Sequence, residues 1–157
     1  MGNLYLRQEK LGLALTHFRA ALQLHPASSV LHAFEGMALQ AARRWPQALA
    51  AFARAEQLDP HNALAKYHAA AVLVAQGRLA DAAHRLRLLH ELVPREANVH
   101  LLLGRVLKKM GDRDGAMQHF VTALELDPAD RTAIKAAIEH LHAHAEGEEE
   151  GEADNDF

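Results

Sequence analysis

The 157-residue sequence contains no cysteine, which excludes disulfides, thiolate metal sites and cysteine nucleophiles. Aromatic residues make up only 5% of it, and the Val-, Ile-, Thr- and aromatic-rich runs that favour strands are missing. No apolar run reaches the roughly 18 residues a membrane-spanning helix needs. The opening Met1-Gly2-Asn3-Leu4-Tyr5-Leu6-Arg7 lacks a basic stretch followed by an apolar core, so no secretory leader is expected. Leu6 stands where N-myristoylation calls for Ser or Thr. Phosphate loops, nucleophile elbows and zinc-protease motifs are also missing. Glu148, Glu149 and Glu150 are adjacent acids without the rigid geometry of acid–base catalysis. The basic groups form no stripe interleaved with aromatics. The expectation is a non-enzyme without cofactor or metal, with no nucleic-acid or membrane partner.

Half the residues are hydrophobic, and alanine and leucine dominate. Both favour helix, because neither loses much side-chain freedom there. The net charge of −3 hides an asymmetry. Residues 146–157 hold seven acids (Glu146, Glu148, Glu149, Glu150, Glu152, Asp154, Asp156) and no Lys or Arg. With 17 basic and 20 acidic residues in all, the rest of the chain has 13 acids and a net charge of +4. This acidic, apolar-poor tail is expected to be disordered.

Four prolines, Pro26, Pro60, Pro94 and Pro128, fall 34 residues apart. Other positions keep the same step. Ala14, Ala48, Ala82 and Ala116 lie twelve before each proline, and Phe18, Phe52, Leu86 and Phe120 lie eight before it. Ala21, Ala55, Leu89 and Ala123 lie five before it; Gly2, Gly36, Ala70 and Gly104 lie twenty-four before it. This is the tetratricopeptide pattern. It predicts an all-α superhelix of antiparallel helical hairpins. Small residues allow the two helices of a unit to approach closely, and the large residue fills the space against the neighbouring hairpin. Proline ends the second helix, since it lacks an N–H and clashes one turn back. Ser28, Asn62 and Asp130 follow as caps, with Glu96 a poorer one. Gly77 and Gly111 are placed at the turns within their units, where left-handed backbone is easily reached.

The units read as a partial repeat over 1–28, repeats at 29–62, 63–96 and 97–130, a capping helix over 131–145 and the acidic tail 146–157. In the capping helix Ile134, Ile138 and Leu141 form the stripe that covers the end of a stack. The partial first repeat is expected to present Leu11, Leu15 and Phe18 to water, as if repeats upstream or a partner covered that face.

The first helix of each unit lines the concave face of such a stack. The positions that usually point there give Asn3, Leu6 and Arg7; Val30, Ala33, Met37, Gln40 and Ala41; Leu64, Tyr67, Ala71, Val74 and Ala75; then Asn98, Leu101, Arg105, Lys108 and Lys109. This suggests a peptide channel running from mixed through apolar to basic. Met37 and Tyr67 would take an apolar side chain, while Arg105, Lys108 and Lys109 would take acidic groups. The bland alternative is helix packing at Met37, Leu64 and Val74 and a solvated Lys108-Lys109 pair. A two-carboxylate clamp for chaperone C-termini is mostly absent, because Phe34 and Leu64 stand where Asn and Lys are wanted. Of twelve histidines, His140 and His144 are one helical turn apart but have no third ligand, and read as polar helix surface. His32 and His100 sit where a large ring is common and read as packed fillers.

The residues between the repeat positions carry a more specific resemblance. They include Tyr5-Leu6-Arg7-Gln8-Glu9-Lys10, His17-Phe18, Ser28-Ser29-Val30-Leu31 and Lys66-Tyr67-His68. They continue through Leu92-Val93-Pro94-Arg95-Glu96, the run from Leu103 to Gly111, Leu124-Glu125-Leu126-Asp127-Pro128, and the acidic tail with Phe157. Over residues 2–145 the sequence resembles the closing repeats of the third tetratricopeptide subunit of the anaphase-promoting complex, a cell-division-cycle scaffold. The resemblance implies a non-catalytic part of a cullin–RING ubiquitin ligase, in nucleus and cytoplasm. It implies other subunits of that complex and the C-terminal Ile-Arg tails of coactivators as partners, with the tail pocket's far edge near Asn3 and Met37. The family's homodimer forms through N-terminal repeats, which are not among these residues. The alternative is another peptide-binding repeat adaptor, of assembly, chaperone or secretion type.

Overall fold

The computed structural model describes residues 2–127, 132 and 134–143, with side-chain surroundings from residue 7 onward. The elements are α1 (Gly2–Leu24), α2 (Ser29–Ala41), α3 (Trp45–Leu58), α4 (Ala63–Ala75), α5 (Leu79–Leu92), α6 (Ala97–Met110) and α7 (Arg113–Leu126). Residues 134–143 are helical as well. The chain divides into two units, Met1–Leu92 and Val93–Phe157. In the first, each helix packs on the next from α1 to α5, and α2 also meets α4. In the second, α6 packs on α7. The all-α hairpin architecture expected from the 34-residue period is what the chain adopts. Helices α2 and α3 fall within residues 29–62, α4 and α5 within 63–96, and α6 and α7 within 97–130.

The repeat positions are the core. Ala48, Phe52 and Ala55 are fully buried on α3, as are Ala82 and Leu86 on α5 and Ala116, Phe120 and Ala123 on α7. Burying each Phe or Leu ring or branch contributes about 1.5–3 kcal/mol. The glycines explain the close approach of the helices. A Cβ on Gly36 would lie 2.6 Å from Cε1 of Phe52, and one on Gly104 would lie 2.6 Å from Cε1 of Phe120. The ring of the second helix thus rests on bare backbone of the first. In α4 and α5 both partners change together, to Ala70 and Leu86, each fully buried.

Each hairpin turns through one left-handed residue, at a constant step. These are Arg43 (φ 60°), Gly77 (φ 76°) and Gly111 (φ 90°). The fourth position in that register is Glu9, and there α1 continues unbroken for 23 residues. Glu9 and Lys10 are good helix formers with no glycine beside them, so nothing favours a turn. The expectation of a partial repeat lacking most of its first helix therefore meets one long helix.

Ser28 caps α2 by accepting from the Leu31 N–H (3.3 Å), and Asn62 caps α4 by accepting from the Ala65 N–H (3.1 Å). Glu96 precedes α6 without a side-chain cap bond, and Asp112 caps α7 through the Gly115 N–H at 3.0 Å. Pro46 occupies the first turn of α3, where its missing N–H is not needed. The exposure expected of the α1 face is corrected. Leu15 is 6% exposed within the core, and Phe18 is half-buried with its ring 5.9 Å from that of Phe34. That face packs forward on α2, while among the described side chains Leu13 and Leu24 are the large apolar α1 residues left exposed. Ile134 and Leu141 are buried and Ile138 half-buried. The cap at Asp130, His144 and the tail 146–157 lie outside the described residues.

Candidate functional site

The predicted groove positions fall into two sets, one per unit. In the first unit Gln40 and Tyr67 are brought together by a residue that sequence reasoning passed over, His68. Its Nδ1 lies 3.0 Å from Oε1 of Gln40, and its ring meets Tyr67 edge-on with centroids 5.3 Å apart. The other face of the imidazole stacks on Phe52 at 6.0 Å. Since the Gln40 oxygen only accepts, His68 donates from Nδ1. Burial holds the His68 pKa below the usual histidine range, because desolvation disfavours the charged ring. The position of His68 relative to its repeat is that of Phe34, and Phe18–Phe34 repeats the Phe52–His68 ring pair one unit earlier. That register was the available signal.

Met37 is half-buried and packs against the core around Leu39 and Phe52. Tyr67 is half-buried, while Val30 and Leu64 are exposed at 55% and 41%. Ala33 is fully buried and is thereby removed from the groove, because it supports the contact of α2 with its neighbours. Arg7 is exposed on α1, and the side chains of Asn3 and Leu6 lie outside the described residues.

In the second unit Arg105 and Lys109 are exposed and Lys108 is half-buried. Lys108 and Lys109 occupy the last turn of α6, where positive charge meets the negative end of the helix dipole. Leu101, expected in the groove, is buried at 8% exposure. His32 and His100 are packed rings, as expected. Each brings Nε2 to a carbonyl of the preceding turn, His32 to Pro26 at 3.0 Å and His100 to Pro94 at 3.1 Å. His100 is buried at 4% and its Nδ1 lies 3.1 Å from Nδ1 of His119. Among the described residues no group of three or more His, Asp or Glu could hold a metal ion, and no helix is long and apolar enough to cross a membrane.

A family model described as tetratricopeptide repeat matches residues 39–105 and 73–141. The chain belongs to the tetratricopeptide repeat family. Solved structures carry the same fold. The chain matches pilF of Pseudomonas aeruginosa with a TM-score of 0.79 at 24% identity, over 93% of this chain and 66% of that one. It matches the TPR domain of Arabidopsis OM64 with a TM-score of 0.70 at 20% identity, over 74% of this chain and 96% of that one. The resemblance read between the repeat positions is also found. Cell division cycle protein 27 homolog B of Arabidopsis thaliana is 41% identical over 151 residues, 95% of this chain and 20% of that protein. Anaphase-promoting complex subunit 3 of Schizosaccharomyces pombe is 35% identical over 141 residues, 90% of this chain and 21% of that protein. The tetratricopeptide segment thus spans about a fifth of the length of the curated relatives it matches.

Proposed function

We propose that this chain is a non-catalytic scaffold segment of an anaphase-promoting complex ubiquitin ligase, acting in cell-cycle control in the nucleus and cytoplasm. The observation that carries this reading is identity of 41% to a cell division cycle protein 27 homolog across 95% of the chain. Such identity extends well past the few residues a tetratricopeptide frame demands. The fold supports a binding role, because stacked hairpins present long surfaces built from many helices. Its partners are other subunits of that complex and the C-terminal tails of coactivators. Met37, Gln40 and Tyr67 would serve the apolar part of a peptide in the first unit. Arg105, Lys108 and Lys109 would serve acidic groups in the second. The acidic tail would keep the segment soluble.

Tagged chain expressed in its own cells should co-purify with cullin, RING and sister repeat subunits. Recovery of chaperones or unrelated proteins alone, with a longer tagged version behaving the same way, would leave a generic peptide-binding adaptor instead. For the groove, Tyr67→Ala should weaken coactivator-tail binding about tenfold in a titration, with the fold unchanged by circular dichroism. Unchanged affinity would remove Tyr67 from the site.

A further inference from the structure

The first unit holds a second candidate site that shares no residue with the predicted groove. A cavity of about 530 Å³ opens between the end of α3, the first turn of α4 and the outer face of α5. Its walls combine two chemistries. Lys66 and Arg85 supply positive charge, offset in part by the lining carboxylate of Glu56, and His84 supplies a ring nitrogen for hydrogen bonding, while Leu88 and Leu92, one turn apart on α5, supply an apolar strip. These two leucines are 53% and 39% exposed, and one turn apart they form a small contiguous apolar strip on the cavity wall.

The cations differ in how they are held. Arg85 is pinned by Glu56, with Nη1 3.2 Å from Oε1. Lys66 is half-buried, and among the described residues no carboxylate lies within ion-pair distance of it. On that wall Lys66 is the cation without a carboxylate partner, next to an arginine whose charge Glu56 already meets. An anion entering the cavity would pair with Lys66, and partial desolvation there would strengthen the attraction relative to open water.

We infer that this cavity is a docking site for an extended partner segment in which a glutamate or aspartate stands beside a leucine-like side chain. The carboxylate meets Lys66, with Arg85 and His84 as further donors, and the apolar side chain lies on Leu88 and Leu92. Charge complementarity fixes the occupant as acidic, and the paired leucines fix it as apolar at the adjoining position.

The test uses the full chain and three blocked, fluorescent hexapeptides. One alternates glutamate and leucine, one replaces glutamate with glutamine, and one replaces leucine with alanine. The first should bind at least tenfold more tightly than either of the others, and its affinity should fall as salt is raised, through screening of the exposed charges. Lys66→Glu should lower affinity at least tenfold and Lys66→Arg should restore most of it. Leu88→Ser should lower it about fivefold, with helical content unchanged. Tyr67→Ala should leave it unchanged. Equal binding of the three peptides, insensitivity to Lys66→Glu, or loss confined to Tyr67→Ala would each overturn the assignment.

Discussion

Hairpins α2–α3 and α4–α5 share a frame, yet meet its two tight demands with different residues. In α2–α3 a fully buried phenylalanine, Phe52, rests on Gly36, and the turn is made by Arg43 at φ 60°. In α4–α5 the same two register positions hold Ala70 and Leu86, both fully buried, and the turn is made by Gly77 at φ 76°. The comparison shows that the frame specifies a combined volume and a backbone geometry, not a residue. A large ring requires no side chain beneath it, whereas a smaller branched chain leaves room for a methyl. Glycine reaches the left-handed turn freely, but arginine is held there by the two helices it joins.

Changing one member of a pair without the other should disrupt the first hairpin most. Phe52→Ala should cost about 3–5 kcal/mol, as ring truncation in a packed core does. Gly36→Ala should cost about 1–3 kcal/mol, because its methyl would press on three ring atoms of a residue with nowhere to move. Gly36→Ala with Phe52→Leu rebuilds the residue pair of α4–α5, and the double variant should cost clearly less than the summed costs of Gly36→Ala alone and Phe52→Leu alone. Denaturant unfolding followed by fluorescence measures this. Trp45 is the only tryptophan and packs against the first-unit core, so its signal reports that unit. Strict additivity would mean that the two positions do not share one volume.

A polar link tests whether successive hairpins are joined by more than apolar packing. Asn62 Nδ2 donates to Ser29 Oγ at 2.7 Å, and Ser29 Oγ donates to the Ala55 carbonyl at 2.8 Å. Asn62 also caps α4, so Asn62→Ala removes two bonds and should cost about 1–2 kcal/mol. Ser29→Ala spares the cap and should cost about 1 kcal/mol. Thermal melts rank them, and an equal cost would assign the whole effect to the Ser29 link.

The turns separate the hairpins by a smaller amount. Gly77→Ala should destabilise by about 1 kcal/mol, since a Cβ is disfavoured in left-handed backbone. Arg43→Gly should be neutral or stabilise by a few tenths of a kcal/mol, as relief of that strain is offset by the freer unfolded chain. Destabilisation by Arg43→Gly would mean that the arginine side chain itself holds the turn.

These pairs mark how far the sequence could be read. The fold was legible because period, small–large spacing and proline stops recur at one step. The turns at Gly77 and Gly111 were legible because glycine advertises positive φ. Arg43 was not, since its residue type argues against the geometry that the register imposes. The unbroken α1 was also missed, because a frame inferred from later repeats was extended over Glu9, where no turn residue stands. The candidate groove was read from average repeat geometry, which does not say which neighbours close over a position. Ala33 and Leu101 were therefore placed on a surface that packing buries. His68 was overlooked because its partners, Gln40 and Phe52, lie 28 and 16 residues away and meet it only after stacking.

His68 gives the smallest test, and its sign follows from burial. An unconstrained histidine titrates near pH 6.5, as it would in the unfolded chain. In the folded first unit desolvation lowers that pKa, so the ring resists protonation. Below about pH 6.5 the unfolded chain binds a proton that the folded chain holds less well, and stability falls with pH until the folded value is passed. Above that range the ring is neutral in both states and contributes no pH dependence. His68→Phe keeps a ring against Phe52 and copies the Phe18–Phe34 pair of the preceding repeat. It forfeits the bond to Gln40, so it should be somewhat less stable at pH 7.5. Between pH 7.5 and 5.5 it should lose less stability than the unaltered chain. Thermal melts at both pH values measure that difference of differences, in which the unchanged histidines largely cancel. If the two proteins lost stability in parallel, His68 would be as easily protonated in the folded unit as in the unfolded chain, and its burial against Phe52 would have no electrostatic consequence.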